Sequence, residues 1–423
     1  MTKGQKQEIL KQACPEEILN QVQNDIFRVQ HDKRKGIKMD YGFTEFQVMI
    51  KDLTRKIAEE KVLPVRAKYD EEEIYPHDIM KILADSELFG VYIPEQYGGV
   101  GGGCLDLCVA VEELSRICGG VAVCYAANAL GAFPILLHGT EEQKQKYLPK
   151  LVKGQIYAAF GLTEPNVGSD AGAVETTAKK DGDSYILNGT KQWITNGGEA
   201  SVYTIIASTN PTKGIRGLSA FIVDKDTPGF TFGKKEKKMG IRCSTTCELH
   251  FSDCKIPASN LLYKESRGFR VAMDTLDKSR PGIGAQAVGI AQGAMEEAIK
   301  FAKQRVQFGQ TIVSFQVIQH MLADMATAIE AARLLVYQAA RAVDTNASDQ
   351  SKIAAMAKVF ASDTAMKVTT DALQICGGTG YMREYPLEKY MRDAKITQIY
   401  EGTNQIQRNI IALELIKESQ SKK

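Results

Sequence analysis

In the segment KITQIYEGTNQIQRN, residues 395–409, one carboxylate, Glu401, stands between Tyr400 and Gly402 with apolar or amide side chains on either side. A glutamate at its solution pKa of about 4.3 is a poor base, but burial among groups such as Ile399 and Tyr400 disfavours its charge and moves that value upward. That is the chemistry of a general base. Gly402 has a mechanical reading beside it, since a glycine lets the backbone turn out of a helix and approach a ligand closely. Alone, a glutamate at a helix end is a solvated residue, so the other chemistry-bearing segments must decide.

The stretch FGLTEPNVGSDAGA (160–173) offers small residues, hydroxyls and exposed backbone N–H groups to an anionic or heteroaromatic ligand; as a bare pattern it is equally compatible with a capped turn. WITNGG (193–198) carries the single tryptophan, Trp193, two residues from Thr195, and strand alternation would put an aromatic plate and a hydroxyl on one face. Asp277 and Arg280 are spaced i,i+3, as in a surface ion pair on a helix. Two motifs fail on context. EQYGGVGGG (95–103) lacks the Lys-Ser/Thr of a phosphate loop, and the G-x-G-x-x-A match at Gly282–Ala287 opens a helical pattern without a strand before it. Nine cysteines and five scattered histidines complete no ligand set, so no metal site is expected, and the thiols read as reduced.

The elements that must position these residues follow from period. From about Phe43 to Leu151 the apolar spacing is helical; between about Gln155 and Tyr263 it changes to two, with Asn188-Gly189 as a hairpin signal; after ESRGFR long helical segments return. This predicts an α+β multidomain chain divided at 41–154, 155–265 and 266–423. Residues 1–40 precede these as a Lys- and Gln-rich lead, in which Pro15 and Ile18, Val22, Ile26 and Val29 suggest a short amphipathic helix. At 423 residues, 44% hydrophobic and 25% charged with a formal charge of +2, the chain gives no electrostatic reason for a nucleic-acid or membrane partner. No apolar run reads as the roughly 18 residues of a membrane span, and the start lacks the look of a signal or organelle address, so a cytoplasmic location is expected.

Six separated motifs then occur in one order: GLTEPNVGSD, WITNG, DKSRPGIGAQAVGIAQGA, RVQFGQ, QICGGTGYMREYPLEKYMRD and IYEGTNQIQ. With them the chain resembles the flavin-dependent acyl-CoA dehydrogenase family along nearly all of residues 40–418. One departure is Val167, where the family usually carries a smaller residue before Gly168-Ser169. The resemblance implies an N-terminal helical domain, a β-barrel-like middle domain and a C-terminal four-helix bundle, with FAD held between the last two and across a subunit boundary. It implies a homotetramer that passes electrons to an electron-transferring flavoprotein.

Residue by residue, the resemblance assigns Leu162 and Thr163 to the flavin ring, Ser169 to the pyrophosphate and substrate region, and Trp193 and Thr195 to the ring's far side and N5. Arg305, Gln307 and Phe308 of an adjacent subunit would meet the adenine half with Gln374 and Gly378, and Thr403 and Gln405 would complete the cradle. Arg280, with Asp277, would meet the CoA end, and Tyr400 and Gly402 would flank the thioester. Glu401 would take the α-proton while its own N–H and a ribityl hydroxyl of FAD hold the enolate oxygen and flavin N5 accepts the hydride. Some relatives place the base just before the arginine matching Arg280; Ser279 stands there and cannot serve as one. The implied reaction is α,β-dehydrogenation of an acyl-CoA, or its reverse as an enoyl-CoA reductase. An oxygen-using oxidase and a non-catalytic partner-binding protein of the same fold are the alternatives. Acyl-chain identity depends on the depth set by 119–135 and the segment near Tyr400, where Ala127, Ala129 and Gly131 are small; a short chain is favoured, and no arginine is clearly placed there for a second carboxylate.

Overall fold

The computed structural model describes residues 41–421, and the expected helix in the lead lies outside them. Helix α1 (Glu45–Ile57) starts at Thr44, whose hydroxyl accepts from Gln47 N at 3.2 Å while the Gln47 side chain accepts from Thr44 N at 3.0 Å, a reciprocal cap. After a π-turn at Ala58–Val62 come α2 (Arg66–Glu71), α3 (His77–Asp85), α4 (Cys104–Ile117), α5 (Gly119–His138) and α6 (Glu141–Val152). Helix α5 corrects the sequence reading: it is long and apolar enough to cross a membrane, yet most of it is buried inside the fold. Its composition is that of a core helix covered on all sides.

Strands β1 (Ala158–Gly161), β2 (Thr177–Asp181), β3 (Ser184–Thr195), β4 (Val202–Ser208), β5 (Leu218–Asp224), β6 (Phe230–Phe232), β7 (Thr246–Pro257) and β8 (Leu261–Leu262) form one sheet in the order β6-β7-β3-β2-β4-β5-β8, with β1 parallel to β4. One face has its own core, in which Phe230 and Phe251 stack at 4.8 Å between Tyr203 and Leu249. Val202, Ile206, Ala220 and Ile222 face the helices instead. Covered on both sides, β4 is buried at all seven positions, so its alternation is lost from the sequence.

The expected hairpin at Asn188-Gly189 is not there. β3 runs straight through it, and the hairpin is the two-residue turn between Asp181 and Ser184, with Gly182 at φ +56°. At Asn188 the ladder to β7 slips: the Asn188 side chain exchanges hydrogen bonds with Asp253, accepting from its N at 2.8 Å and donating to Oδ1 at 3.1 Å. A Cβ on Gly189 would lie 2.7 Å from Thr176 Cα, so the glycine answers a bulge and a close approach rather than a turn.

The last part holds α7 (Gly268–Gln304), the short strands β9 (Val306–Gln307) and β10 (Gln310–Thr311), then α8 (Gln316–Asp344), α9 (Gln350–Tyr381), α10 (Leu387–Thr397) and α11 (Asn404–Ser421). Gly282–Ala287 does not open a helix but lies inside α7, after Pro281, which the helix accommodates. In the same motif region, a Cβ at Gly289 would come 2.2 Å from Glu112 O and one at Gly293 2.0 Å from Arg116 O, so these glycines bring α7 against the backbone of α4.

Candidate active site

Glu401 sits between α10 and α11 with φ +51°, followed by Gly402 at φ +91°. Two left-handed residues in a row bring both carbonyls within reach of α11 and α9. Gln407 Nε2 donates to Glu401 O at 2.9 Å and Gly402 O at 3.1 Å, and Lys358 Nζ on α9 donates to Gly402 O at 2.8 Å. A Cβ on residue 402 would strike Gln407 Nε2 at 2.5 Å, so a glycine is required here by both conformation and space.

The Glu401 side chain turns to α7, where Ser279 Oγ donates to its Oε2 at 2.5 Å. Burial pushes the carboxyl up to about 7, against the downward pull of the Ser279 hydroxyl, Arg280 and Lys358. Beside it Tyr400 donates its hydroxyl to Gln286 Oε1, and Gln286 Nε2 donates to Gly119 O at 3.0 Å, tying the segment to α7 and the start of α5. Arg280 pairs with Asp277, which also accepts from Ser351 Oγ at 3.1 Å. This is no surface pair: the Arg280 side chain is 3% exposed, and its Nε has no partner among the described residues.

A second cluster stands at the ends of β1 and β3. Leu162 and Thr163 leave β1, and Thr163 O accepts from Gln192 N at 2.8 Å, which puts them beside Trp193 and Thr195. The alternation expected between Trp193 and Thr195 does not apply, because the ladder slips between Lys191 and Ile194 and Trp193 takes φ +58°. Trp193 is 59% exposed and Thr195 half-buried. Beneath them Lys191 is fully buried, donating to Leu162 O at 3.0 Å and to Glu164 Oε1 at 2.6 Å. Glu164 also accepts from Glu175 N at 2.6 Å and Thr176 N at 3.0 Å, while its backbone pairs with Val167. Val167 is buried under the loop and Ser169 is exposed on it. Helix α5 reaches both clusters, through Gly119 O and through Asn128, whose Oδ1 accepts from Ala158 N at 3.0 Å.

Other residues singled out by sequence face outward. Arg305 caps α7 from the surface, Gln307 is exposed on β9, and Phe308 is 93% exposed with φ +51°. Gln374 and Gly378 are exposed near the end of α9, where the chain breaks helical geometry at Gly377. Thr403 accepts from Ile406 N at 3.3 Å at the start of α11, and Gln405 is exposed. Among the described residues no hydrogen bond ties Arg305, Gln307, Phe308 or Gln374 to the Leu162–Thr163 loop.

The family models for the acyl-CoA dehydrogenase N-terminal, middle and C-terminal domains match residues 44–155, 159–254 and 266–416 in turn. The chain belongs to the acyl-CoA dehydrogenase family. It is 48% identical to the acryloyl-CoA reductase (NADH) of Anaerotignum propionicum, over 93% of this chain and 100% of that one. The butyryl-CoA dehydrogenase structure from Megasphaera elsdenii superposes with a TM-score of 0.87 at 48% identity, covering 89% of this chain and 100% of that one. A chain solved in work on the electron transferring flavoprotein of Acidaminococcus fermentans and flavin-based electron bifurcation gives a TM-score of 0.87 at 51% identity, covering 89% and 99%.

For an acyl-CoA dehydrogenase, the residues that sequence reasoning passes over are those that hold the motifs in place. Lys191 lies next to WITNG and Glu164 inside GLTEP, but they read as ordinary strand and loop residues. Gln286 is hidden in a dinucleotide-motif look-alike, and Lys358 in a plain helical pattern. The only signal for them is a polar residue at a position whose period predicts burial, as at Lys358 among Ala354, Ala355, Ala361 and Ala365.

Proposed function

We propose that this chain binds FAD and interconverts a short acyl-CoA and its trans-2-enoyl-CoA, with Glu401 as the base that takes the α-proton. The observation that carries the reading is the Glu401 carboxyl, half-buried, held by Ser279 and pushed up to about 7, where it accepts and releases a proton near neutrality. The Glu401 N–H has no partner among the described residues, while the neighbouring carbonyls are tied down by Gln407 and Lys358. That N–H is free to donate to the thioester oxygen and stabilise the charge that develops there. Arg280 and Asp277 receive the CoA end, with Ser169, Tyr400 and Gly402 along the substrate path.

The residues present fit a flavin. Trp193 and Phe308 leave large aromatic faces uncovered, and a Cβ at Gly168 or Gly378 would meet nothing within 4 Å, so both stretches of backbone are open to a ligand. Leu162, Thr163, Ser169, Trp193 and Thr195 would hold the ring and pyrophosphate, Thr403 and Gln405 would close the cradle, and Arg305, Gln307, Phe308, Gln374 and Gly378 would serve the adenine half from a second subunit. When bound, FAD supplies the hydride acceptor. The exposure of Phe308, Leu413 and Ile416 supports a homotetramer in which such surfaces are covered.

A short acyl chain is in line with the butyryl-CoA dehydrogenase relative, and Gln286, 1% exposed and bonded to both Tyr400 and Gly119, braces the segment beside the base. The electron partner is an electron-transferring flavoprotein, in line with the relative solved in that context, and the reductase relative supports operation toward the saturated thioester. The domain division at 41–154, 155–265 and 266–423 and a cytoplasmic location complete the reading. Its test is Glu401→Gln: FAD content should be unchanged while anaerobic bleaching of the flavin by butyryl-CoA slows by roughly 10²–10⁴-fold. Bleaching at the parental rate would place the base elsewhere.

A further inference from the structure

We infer that Lys358 is a positioning residue for the base: its ammonium clamps the Glu401–Gly402 turn to α9 and adds, beside Arg280, positive charge that favours the ionised Glu401 carboxyl. The inference rests on the reading of Glu401 as the base.

Lys358 is fully buried on α9, and among the described residues it makes no ion pair. Its hydrogen bonds go to neutral oxygens, Gly402 O at 2.8 Å and Asn404 Oδ1 at 2.9 Å. Asn404 is itself fixed, donating to Ser362 Oγ at 2.9 Å and Asp363 Oδ1 at 2.7 Å. A buried ammonium with only neutral partners is costly, and a methylene-rich neutral side chain would fill the same space without that cost. What the charge adds is a field at Glu401, one residue from the carbonyl it grips. Burial lowers the Lys358 ammonium to about 7; Glu401 raises it, Arg280 lowers it and Asp363 raises it.

The charged and titratable surroundings of Glu401 are few. From α7 come Ser279 and Arg280, the latter paired with Asp277 and still acting on the Glu401 charge more strongly than Lys358 does. From α9 comes Lys358, with Asp363 behind it, and from its own segment Tyr400, whose hydroxyl is engaged by Gln286. Arg280 and Lys358 both favour the Glu401 charge, and Lys358 is the one of the two with no carboxylate partner among the described residues. When Glu401 takes the substrate proton this attraction disappears, so Lys358 helps set the pH above which the base is ready rather than adding to its strength.

Two variants of the full-length holoenzyme test this. Lys358→Gln keeps a donor and loses the charge, and Lys358→Met loses both. In each, two midpoints should rise by about one pH unit or more: that of butyryl-CoA bleaching against pH, and that of the Glu401 carboxyl band in infrared difference spectra taken against Glu401→Gln. A purely structural role would lower the melting temperature or FAD content and leave both midpoints in place. An unmoved midpoint in any variant that folds with parental FAD content overturns the inference. If neither variant folds with parental FAD content, the clamp is structural and the inference falls. Normal bleaching by Glu401→Gln would sink the underlying reading instead, so the two failures are distinguishable.

Discussion

Glu164 and Glu401 both lie in the interior near a buried lysine, yet their carboxyls move in opposite directions. Burial raises each, but at Glu164 the charge and hydrogen bond of Lys191, with the N–H donors of Thr176 and Glu175, outweigh it and the carboxyl falls below its ordinary value. At Glu401 burial wins and the carboxyl climbs to about 7. A cation nearby is therefore not enough: Lys191 touches the Glu164 carboxylate at 2.6 Å, whereas Lys358 bonds to neutral oxygens beside Glu401. With that contact go more donors on the carboxylate oxygens: among the described residues three at Glu164, and the Ser279 hydroxyl alone at Glu401, because Lys358 spends its donors on Gly402 and Asn404. The first arrangement is a strut that fixes Leu162 and Thr163; the second leaves a carboxyl free to change its charge.

The strut should break hardest. Lys191→Met strands the Glu164 carboxylate in a site with no exposure, and removing one partner of such a pair costs about 3–5 kcal/mol. Urea unfolding should show that loss with an unchanged slope, together with weaker FAD retention, since Leu162 O loses its donor as well. A loss below about 1 kcal/mol would mean that the pair is not the support it looks like.

Glutamine substitutions at the two acids should act with opposite sign. The folded-state pKa of Glu401 is raised above its unfolded value, so the folded form binds more protons between about pH 4.5 and 7 and stability falls as pH rises through that window. Glu401→Gln removes a cost that is complete above the folded value. It should stabilise the protein by up to about 3 kcal/mol at pH 8, and the advantage should vanish below about pH 4. Glu164, depressed, contributes stability above its unfolded value, and Glu164→Gln should destabilise at neutrality, with the difference shrinking as pH falls through the folded pKa. Melting temperatures of both variants across about pH 4–8 check the signs, and equal signs would remove the contrast.

How much of this is legible in the chain differs between the two regions. Period alone orders helices, sheet and helices, and the motif set singles out Glu401 and Gly402. Strand detail is less legible. Asn188-Gly189 looks like a turn because the same residue pair suits a bulge, and only the close approach of Thr176 distinguishes them. The slip before Ile194 likewise undoes the alternation of Trp193 and Thr195. Helix α5 escapes notice as a span candidate because a helix buried on all sides carries no amphipathic signature. Lys191 and Lys358 are illegible for a related reason: their partners are 27 and 44 or more positions away, a separation at which local spacing carries no information.

The smallest change sharpens the contrast most directly. Ser279 is by type unable to supply a base, yet among the described residues its hydroxyl is the single donor to the Glu401 carboxylate, at 2.5 Å. Ser279→Ala makes Glu401 still less like Glu164. A hydrogen bond to a charged group contributes about 1.5–3 kcal/mol, so its loss should raise the bleaching midpoint by about one pH unit. The sign is fixed: the base acts only when ionised, and losing a donor that favours the ionised form moves the working range to higher pH. Above that range the rate should equal or exceed the parent's, because a base of higher proton affinity is the stronger one. Adding a donor should do the reverse, drawing Glu401 toward the behaviour of Glu164. A midpoint that stays put in Ser279→Ala would mean that the hydroxyl only orients the carboxyl, leaving burial, Arg280 and Lys358 to set its charge.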